Sequence, residues 1–240
     1  MKDIHNKGIE VEDLVEKICA KMFFSDFTVR SNKFKKANKK ERETADILIP
    51  FDDVLVVVQV KTKLDKEPSS KKSENELNRI DRKIDKGIEQ IKTIKRAIAN
   101  SHFNEVETTR GYKIPFDGTK FKKMIGIVVL DLVSEDVSRP DETTTIINGF
   151  EIRHDMPIHI FKRNEFEIIS TEIDTLPDFI RYIETREILF SRGLFAFPPL
   201  ELSFLALYKV KPEDIQLAIQ ENSLVIIDDG YWDWYQKDCQ

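Results

Sequence analysis

Residues 54–58 form an unbroken aliphatic run, and this run is the feature of the sequence that most constrains the fold. Its residues are Val, Leu, Val, Val and Val, a β-branched composition that predicts a strand buried on both faces. The run ends in Gln59, Val60 and Lys61 instead of further apolar residues. Because alternate side chains of a strand share a face, we expect the Gln59 and Lys61 side chains on one side of the sheet.

A second strand is predicted just before this one, at residues 45–50, and it opens with Asp46. A short turn at 51–53 would join it to the strand at 54–63 as a hairpin. The hairpin would bring an aspartate, an amide oxygen and an ammonium group to one edge of the sheet. Such a set suits a divalent cation and a phosphate, so the sequence favours a nuclease. Each residue also has a simpler interpretation: Asp46 could cap a strand end, Gln59 could face water, and Lys61 could extend from the sheet edge.

The rest of the chain divides into a mixed α/β part and a helical part. An apolar repeat of six isoleucines predicts a long helix over residues 76–100. We predict further helices at 10–22, 176–190, 200–208 and from 211, and further strands at 27–30, 125–130, 144–152 and 158–163. Residues 1–165 are therefore expected to form one domain, and residues 166–240 an acidic, mostly helical region.

Composition limits the cellular location and the partners of the chain. The net charge of −5 is uneven, because residues 1–124 carry +7 and residues 125–240 carry −12. No apolar run approaches the roughly 18 to 20 residues of a membrane span, and the amino terminus lacks an apolar signal segment. The two cysteines, Cys19 and Cys239, have no disulfide or zinc spacing. We therefore expect a cytoplasmic protein that does not bind membranes. Its basic half either faces a polyanion or carries solvated lysines on surface helices.

The order of elements carries a family resemblance. A helix, three strands, a helix and a strand, with Asp46 on the second strand and Gln59-Val60-Lys61 on the third, resemble the PD-(D/E)xK restriction-endonuclease-like nuclease superfamily. The Mrr-like members are the most similar, since Gln-x-Lys replaces Glu-x-Lys in them. The resemblance covers residues 8–133. It implies an α/β fold with a restriction-endonuclease-like αβββαβ core, a mixed central sheet flanked by helices, here followed by a mostly helical C-terminal extension.

The resemblance also implies an activity and a site. Members of the family are metal-dependent nucleases, so it implies a DNA endonuclease of bacterial restriction, repair or phage defence. Asp46, Gln59 and Lys61 would be its catalytic residues, with Asp46 and Gln59 binding Mg²⁺ or Mn²⁺. Lys61 would orient or deprotonate the attacking water. With Gln59 in place of a carboxylate, the site lacks one negative charge.

Further site residues follow from the two predicted helices. The family's first-helix pattern matches this sequence at Gly8, Glu12 and Val15, so Glu12 would be a catalytic acid and a third metal ligand. Glu10 and Glu43 are alternative sources of that acid. The family's later helix carries a glutamine facing the site, and Gln90 matches it as a residue that contacts nucleic acid.

Lysines cluster immediately before Asp46, and phosphate contacts of this kind give affinity that is independent of base sequence. We expect four of them to bind the backbone of a nucleic acid: Lys35, Lys36, Lys39 and Lys40. A second basic set lies in and just before the helix at 76–100: Lys71, Lys72, Arg79, Arg82, Lys83 and Lys86. The basic residues of this helix alternate with the acids Asp81, Asp85 and Glu89, which is typical of a solvated helix face.

Two alternatives stay open from the sequence. The charge-poor site is also compatible with a catalytically degenerate module that binds nucleic acid or assembles with proteins, and the substrate can be DNA or RNA. The aromatic and acidic residues 228–235 do not resemble a completed core. We therefore expect the C-terminal region to contact a second copy of the chain or a further domain.

Overall fold

The computed structural model describes residues 2–23, 28–30, 34–35, 41–42, 46–62, 72–100, 105–131, 149–195, 200–228 and 230–239. The chain forms two compact units, residues 1–163 and 164–240, and the predicted boundary after residue 165 lies close to this division. Among the described residues, no helix combines the length and the apolar character needed to cross a bilayer.

The first unit is an α/β domain built on a mixed six-stranded sheet with the strand order β1-β4-β5-β8-β10-β9. Strands β5, β8 and β10 run parallel, and the other neighbours pair antiparallel. This confirms the predicted α/β class and the mixed sheet flanked by helices. The sheet strands and the two long helices are α1 (Lys2–Phe23), β1 (Val29–Arg30), β4 (Ile47–Phe51), β5 (Val54–Thr62), α2 (Lys72–Ala99), β8 (Lys123–Asp131), β9 (Phe150–Ile152) and β10 (Pro157–Lys162).

Smaller elements complete this unit. Two short hairpins lie outside the main sheet, one formed by β2 (Phe34–Lys35) and β3 (Glu41–Arg42), the other by β6 (Glu105–Glu107) and β7 (Lys113–Pro115). A single 3₁₀ turn, Gly118–Lys120, precedes β8. The sequence analysis predicted none of these three elements, because each is too short to give a periodic apolar pattern.

Helix α2 packs across β5 and β8 and closes the core on one face of the sheet. All six isoleucines of its predicted stripe are buried, which confirms that prediction: Ile80, Ile84, Ile88, Ile91, Ile94 and Ile98. Gly126 in β8 allows the close approach. A Cβ atom at Gly126 would lie 2.5 Å from Ile158 Cδ1 and 3.3 Å from Ile91 Cδ1.

Helix α1 contacts β5 and begins earlier than predicted, at Lys2 and not at residue 10. Its buried residues are Val11, Val15 and Cys19, which lie outside the cluster that α2 covers. The β5 side chains that point away from α2, such as Val56 and Val58, are buried as well. We therefore assign α1 to the second face of the sheet.

The second unit is helical in its described parts. It contains α3 (Arg163–Glu172), which starts at the last residue of the first unit, α4 (Leu176–Ser191), α5 (Glu201–Val210), α6 (Pro212–Glu221) and α7 (Tyr231–Asp238). The sequence analysis predicted α4, α5 and α6 but missed α3 and α7. The aromatic end of the chain forms α7, where Tyr235 is buried and its hydroxyl lies 3.0 Å from Glu172 Oε2.

A buried ion pair links α4 to α5 within the second unit. The Arg186 side chain is fully buried and donates to both carboxylate oxygens of Glu201, at 2.7 and 2.9 Å. Tyr182 donates to the same carboxylate at 2.6 Å, and the guanidinium lies 4.9 Å from the centre of the Phe190 ring. Burial, and then the Glu201 charge, raise the pKa of Tyr182 well above its usual value. The phenol therefore stays protonated as a donor.

The contact between α2 and the sheet predicts where the fold is most sensitive to shortening of a side chain. Ile91→Ala should lower the free energy of unfolding by about 2–5 kcal/mol, since the removed side chain leaves a cavity against β8. Ile152→Ala on β9 is the matched control, because Ile152 is 59% exposed, and its effect should stay within about 0.5 kcal/mol. Urea denaturation followed by circular dichroism measures both values. Equal losses from the two variants would contradict this account of the core.

Candidate functional site

The hairpin of β4 and β5 places Asp46 opposite Gln59. Ile47 pairs with Val58 and Leu48 with Val57, and continuing this register by one residue sets Asp46 against Gln59. Side chains directly opposite each other in an antiparallel pair point to the same face. Because Leu48 and Val57 face the α2 core, Asp46 and Gln59 face α2 as well, at the edge of the sheet where β5 ends.

Lys61 completes this edge, since it lies two residues beyond Gln59 on the same face. Three oxygen atoms surround its ammonium group. Lys61 Nζ lies 2.7 Å from the Val60 carbonyl oxygen, 3.1 Å from Gln59 Oε1 and 3.9 Å from Asp46 Oδ2. Gln59 is fully buried, and only 10% of the Lys61 side chain is exposed. The structure thus brings together the three residues of the predicted motif and adds a backbone carbonyl that the motif did not indicate.

The Asp46 carboxylate is oriented by the backbone of β5. The Val60 amide donates to Asp46 Oδ2 over 2.6 Å, which is short for a hydrogen bond from a backbone amide and typical of a charged acceptor. This bond ties the start of β4 to the end of β5. It fixes the carboxylate beside Gln59 and Lys61.

The electrostatics of Lys61 identify which other charges lie close to the site. Burial lowers the pKa of Lys61, and the charge of Lys86 and then that of Lys83 act in the same direction. The carboxylates of Asp46 and Glu12 oppose this shift. Because burial and the two lysine charges together outweigh the attraction of the two carboxylates, the ammonium gives up its proton more easily than an exposed lysine does.

Glu12 is exposed on α1, yet its charge acts on Lys61. Consecutive residues of a helix are separated by about 100° around its axis, so Glu10 and Glu12 point to nearly opposite sides of α1. Glu12 is therefore the better placed of the two acids. The remaining alternative, Glu43, lies outside the described residues.

Helix α2 presents a polar stripe to the site beside its apolar face. Lys83, Lys86 and Gln90 are spaced at i, i+3 and i+7 and so share one side of the helix. The acids of α2 turn the other way: Asp85 lies 3.9 Å from Arg153, and Glu89 lies 3.1 Å from His154 Nε2. Two lysines accompany these acids near the turn that connects β9 to β10: Lys92 lies 3.0 Å from Glu89, and Lys95 donates to the His154 carbonyl. The side of α2 near Lys61 is therefore basic, and the side near this turn carries paired charges of both signs.

Gly87 allows this stripe to lie close to Lys61. A Cβ atom at Gly87 would lie 3.1 Å from a methyl group of Val128 and 3.6 Å from Lys61 Cε. The first of these distances is tighter than side chains normally allow. The missing side chain therefore lets the backbone of α2 rest directly on the sheet and on the lysine stem, which excludes water from that part of Lys61.

Two buried amide atoms lack a hydrogen-bond partner among the described residues, the donor Gln59 Nε2 and the acceptor Gln90 Oε1. Each such atom costs about 1–3 kcal/mol of stability. Ile91, the neighbour of Gln90, packs over Gly126, which pairs with Val57. Gln90 accordingly lies near the level of Val57, whereas Gly87 lies near the level of Gln59, because Gly87 packs on Val128, the partner of Gln59. The unsatisfied donor of Gln59 lies within the candidate site, where a buried polar group without a partner is typical of ligand binding.

The predicted lysine cluster lies almost entirely outside the described residues. Lys35 lies in β2, where it pairs with Glu41 of β3, and its side chain is not described. The other three predicted contacts, Lys36, Lys39 and Lys40, lie outside the described residues. Among the basic residues that the structure describes, Lys83 and Lys86 are the ones whose charges act on Lys61 from α2. Their spacing relative to Gln90 was the signal in the sequence that could have singled them out.

The donors at this edge fit a hard divalent cation. Asp46, Gln59 Oε1 and the Val60 carbonyl provide oxygen ligands of the kind that Mg²⁺ and Mn²⁺ prefer. The ammonium of Lys61 donates to two of these oxygens, Gln59 Oε1 and Val60 O, and lies at ion-pair distance from Asp46. In the described part of the chain, no group of three or more His, Cys, Asp or Glu side chains is arranged to hold a metal ion.

Comparisons of the chain with protein-family models, with curated protein sequences and with solved structures found no match.

The hydrogen bond between Asp46 and Val60 predicts that two substitutions of the aspartate differ in stability. Asp46→Ala should lower the free energy of unfolding by about 1–3 kcal/mol, because it leaves the buried Val60 amide unsatisfied. Asp46→Asn retains an acceptor oxygen and should lose less. Urea denaturation of both variants measures the difference. If Asp46→Asn lost as much stability as Asp46→Ala, the hydrogen bond would not orient the carboxylate as described.

Proposed function

We propose that this chain is a metal-dependent nuclease that hydrolyses phosphodiester bonds and acts as a DNA endonuclease on a restriction-endonuclease-like αβββαβ core. The observation that carries the proposal is the convergence of Asp46, Gln59 and Lys61 on the α2 face at the end of β5. The order α1, β4, β5, α2 and β8 around this edge supports it. A role in restriction, repair or phage defence belongs to the same proposal.

The roles of the individual residues follow from their surroundings. Asp46, Gln59 Oε1 and the Val60 carbonyl would hold Mg²⁺ or Mn²⁺, with Glu12 adding negative charge from α1. The cation supplies neutralisation of the phosphate and a more acidic water. Lys61 accepts the proton of the attacking water or orients that water, a task that suits a lysine whose pKa burial has lowered.

The substrate backbone would lie along the basic side of α2. Lys83 and Lys86 act on Lys61 from that side, and Gln90 follows on the same stripe. Phosphate contacts from lysines position a nucleic acid without reading its sequence. In this proposal the backbone phosphates contact Lys83 and Lys86, and the scissile phosphodiester lies beside Asp46.

The assay that tests the proposal uses the full chain with supercoiled plasmid, linear DNA and RNA of the same sequence, with Mg²⁺, Mn²⁺ or chelator. Wild type should cleave DNA only with a divalent cation. Asp46→Asn and Lys61→Met should each slow cleavage by about 10²-fold or more, as expected for groups that act in proton transfer and charge stabilisation. Gel electrophoresis with time measures the rates.

Matched controls are available on exposed surfaces. Asp174 is exposed on the second unit, and 83% of the Lys122 side chain is exposed, so Asp174→Asn and Lys122→Met should cleave at the wild-type rate. Cleavage that survives both Asp46→Asn and Lys61→Met would place catalysis elsewhere in the chain. If RNA were cleaved in preference to DNA, the substrate part of the proposal would be wrong.

A second candidate function is a module on the same fold that binds nucleic acid without cutting it. Gln59 favours this alternative, because it leaves Asp46 as the one carboxylate within 4.0 Å of Lys61 Nζ among the described residues. No cleavage by wild type with any cation, together with salt-sensitive binding to DNA, would support the module over the enzyme.

The missing charge at position 59 yields a separate prediction. Gln59→Glu restores a carboxylate beside Lys61, so it should lower the concentration of Mg²⁺ or Mn²⁺ that gives half-maximal cleavage by about tenfold. Gln59→Leu keeps a similar volume but removes the oxygen, and it should raise that concentration. Cleavage rates measured against metal concentration test both variants. Identical metal dependence in Gln59→Leu and wild type would remove Gln59 from the proposed ligands.

A further inference from the structure

The ammonium group of Lys61 occupies the place between the oxygen atoms that the proposed metal would use. Val60 O and Gln59 Oε1 lie within hydrogen-bond distance of Nζ, and Asp46 Oδ2 lies at ion-pair distance. These are the same three donors that fit a hard cation. A divalent ion bound to them at about 2.0–2.1 Å and an ammonium that keeps its present contacts exclude each other, by volume and by charge.

We propose that Lys61 is a built-in cation that holds the oxygen set of this site in the absence of metal and must leave it before a divalent ion binds. The inference rests on the proposed metal-dependent function and adds its regulation. Lys61 thereby has two successive positions: one within the oxygen set, and one outside it in which it acts on the water or the phosphate.

The surroundings of the site explain why a cation from the chain itself is needed there. We call the Lys61 ammonium group in this position the placeholder. Asp46 and the Val60 backbone are joined by a hydrogen bond, and Gln59 is fully buried, so the oxygens are fixed close together with little access to water. Buried acceptors without a donor are costly. The ammonium donates to Val60 O and Gln59 Oε1, and its charge balances that of Asp46 at 3.9 Å. The metal therefore has to compete with a cation that the chain itself supplies, which weakens metal binding by the free protein.

The surroundings also define a control variant. It separates the effect of an ammonium group among the oxygen atoms from the effect of a positive charge nearby. Lys86 acts on the site through its charge, but it lies on α2 and not within the oxygen set. Lys61→Met removes one positive charge and vacates the oxygens. Lys86→Met removes one positive charge and leaves the oxygens occupied. If long-range repulsion alone weakened metal binding, the two substitutions would have similar effects.

The experiment measures the binding of Mn²⁺ alone to the full chain, with free Mn²⁺ quantified by electron paramagnetic resonance. The proteins compared are wild type, Lys61→Met, Lys86→Met, Asp46→Asn and the double variant Asp46→Asn/Lys61→Met. We expect Lys61→Met to bind Mn²⁺ about tenfold more tightly than wild type or better, as the loss of competing charge-assisted hydrogen bonds implies. Lys86→Met should stay within about threefold, and both proteins with Asp46→Asn should lose the site.

The outcomes distinguish this inference from the proposed function. One outcome is that Mn²⁺ binding requires Asp46 but is no tighter in Lys61→Met than in wild type. This outcome overturns the placeholder and still supports the metal site. Equal tightening in Lys61→Met and Lys86→Met also overturns it, in favour of simple charge repulsion. If none of the variants binds Mn²⁺, Lys61→Met included, both the placeholder and the metal dependence are wrong. Lys61→Ala serves the same comparison if Lys61→Met shows no cooperative thermal unfolding.

Discussion

The antiparallel register of β4 and β5 is the constraint on which the candidate site depends. Asp46 reaches Gln59 and Lys61 because Ile47 pairs with Val58 and Leu48 with Val57. A slip of one residue would turn every side chain of one strand to the opposite face, and Asp46 would then point away from α2. The two-residue turn at Asp52 and Asp53 sets this register. Asp52 adopts φ +50° there, a left-handed conformation that aspartate tolerates better than most residues.

Much of the fold and of this edge could be predicted from the sequence, because the signals are local. The aliphatic run of β5 and the isoleucine stripe of α2 are strong periodic patterns, and alternation along β5 was enough to place Gln59 and Lys61 on one face. The position of Asp46 needed only the hairpin. These predictions depend on neighbouring residues in one or two elements, where the geometry of strands and helices leaves little freedom.

Other features could not be predicted, for reasons that are also physical. The Val60 carbonyl is a backbone atom and leaves no trace in the choice of side chain. Lys83 and Lys86 were predicted only as members of a larger basic set, since the linear order does not show that Asp85 and Glu89 face Arg153 and His154. Helix α7 was missed because Tyr, Trp and Asp resemble an irregular end until Tyr235 is seen to pack beside Glu172.

Gly87 links the packing of the core to the chemistry of the edge. The absence of a side chain there brings the backbone of α2 onto Val128 and the stem of Lys61 at once. The same contact therefore determines how closely α2 packs on the sheet and how far water is excluded from Lys61. A substitution at position 87 therefore changes both the stability of the fold and the acidity of the Lys61 ammonium group. Neither property can be altered there without the other.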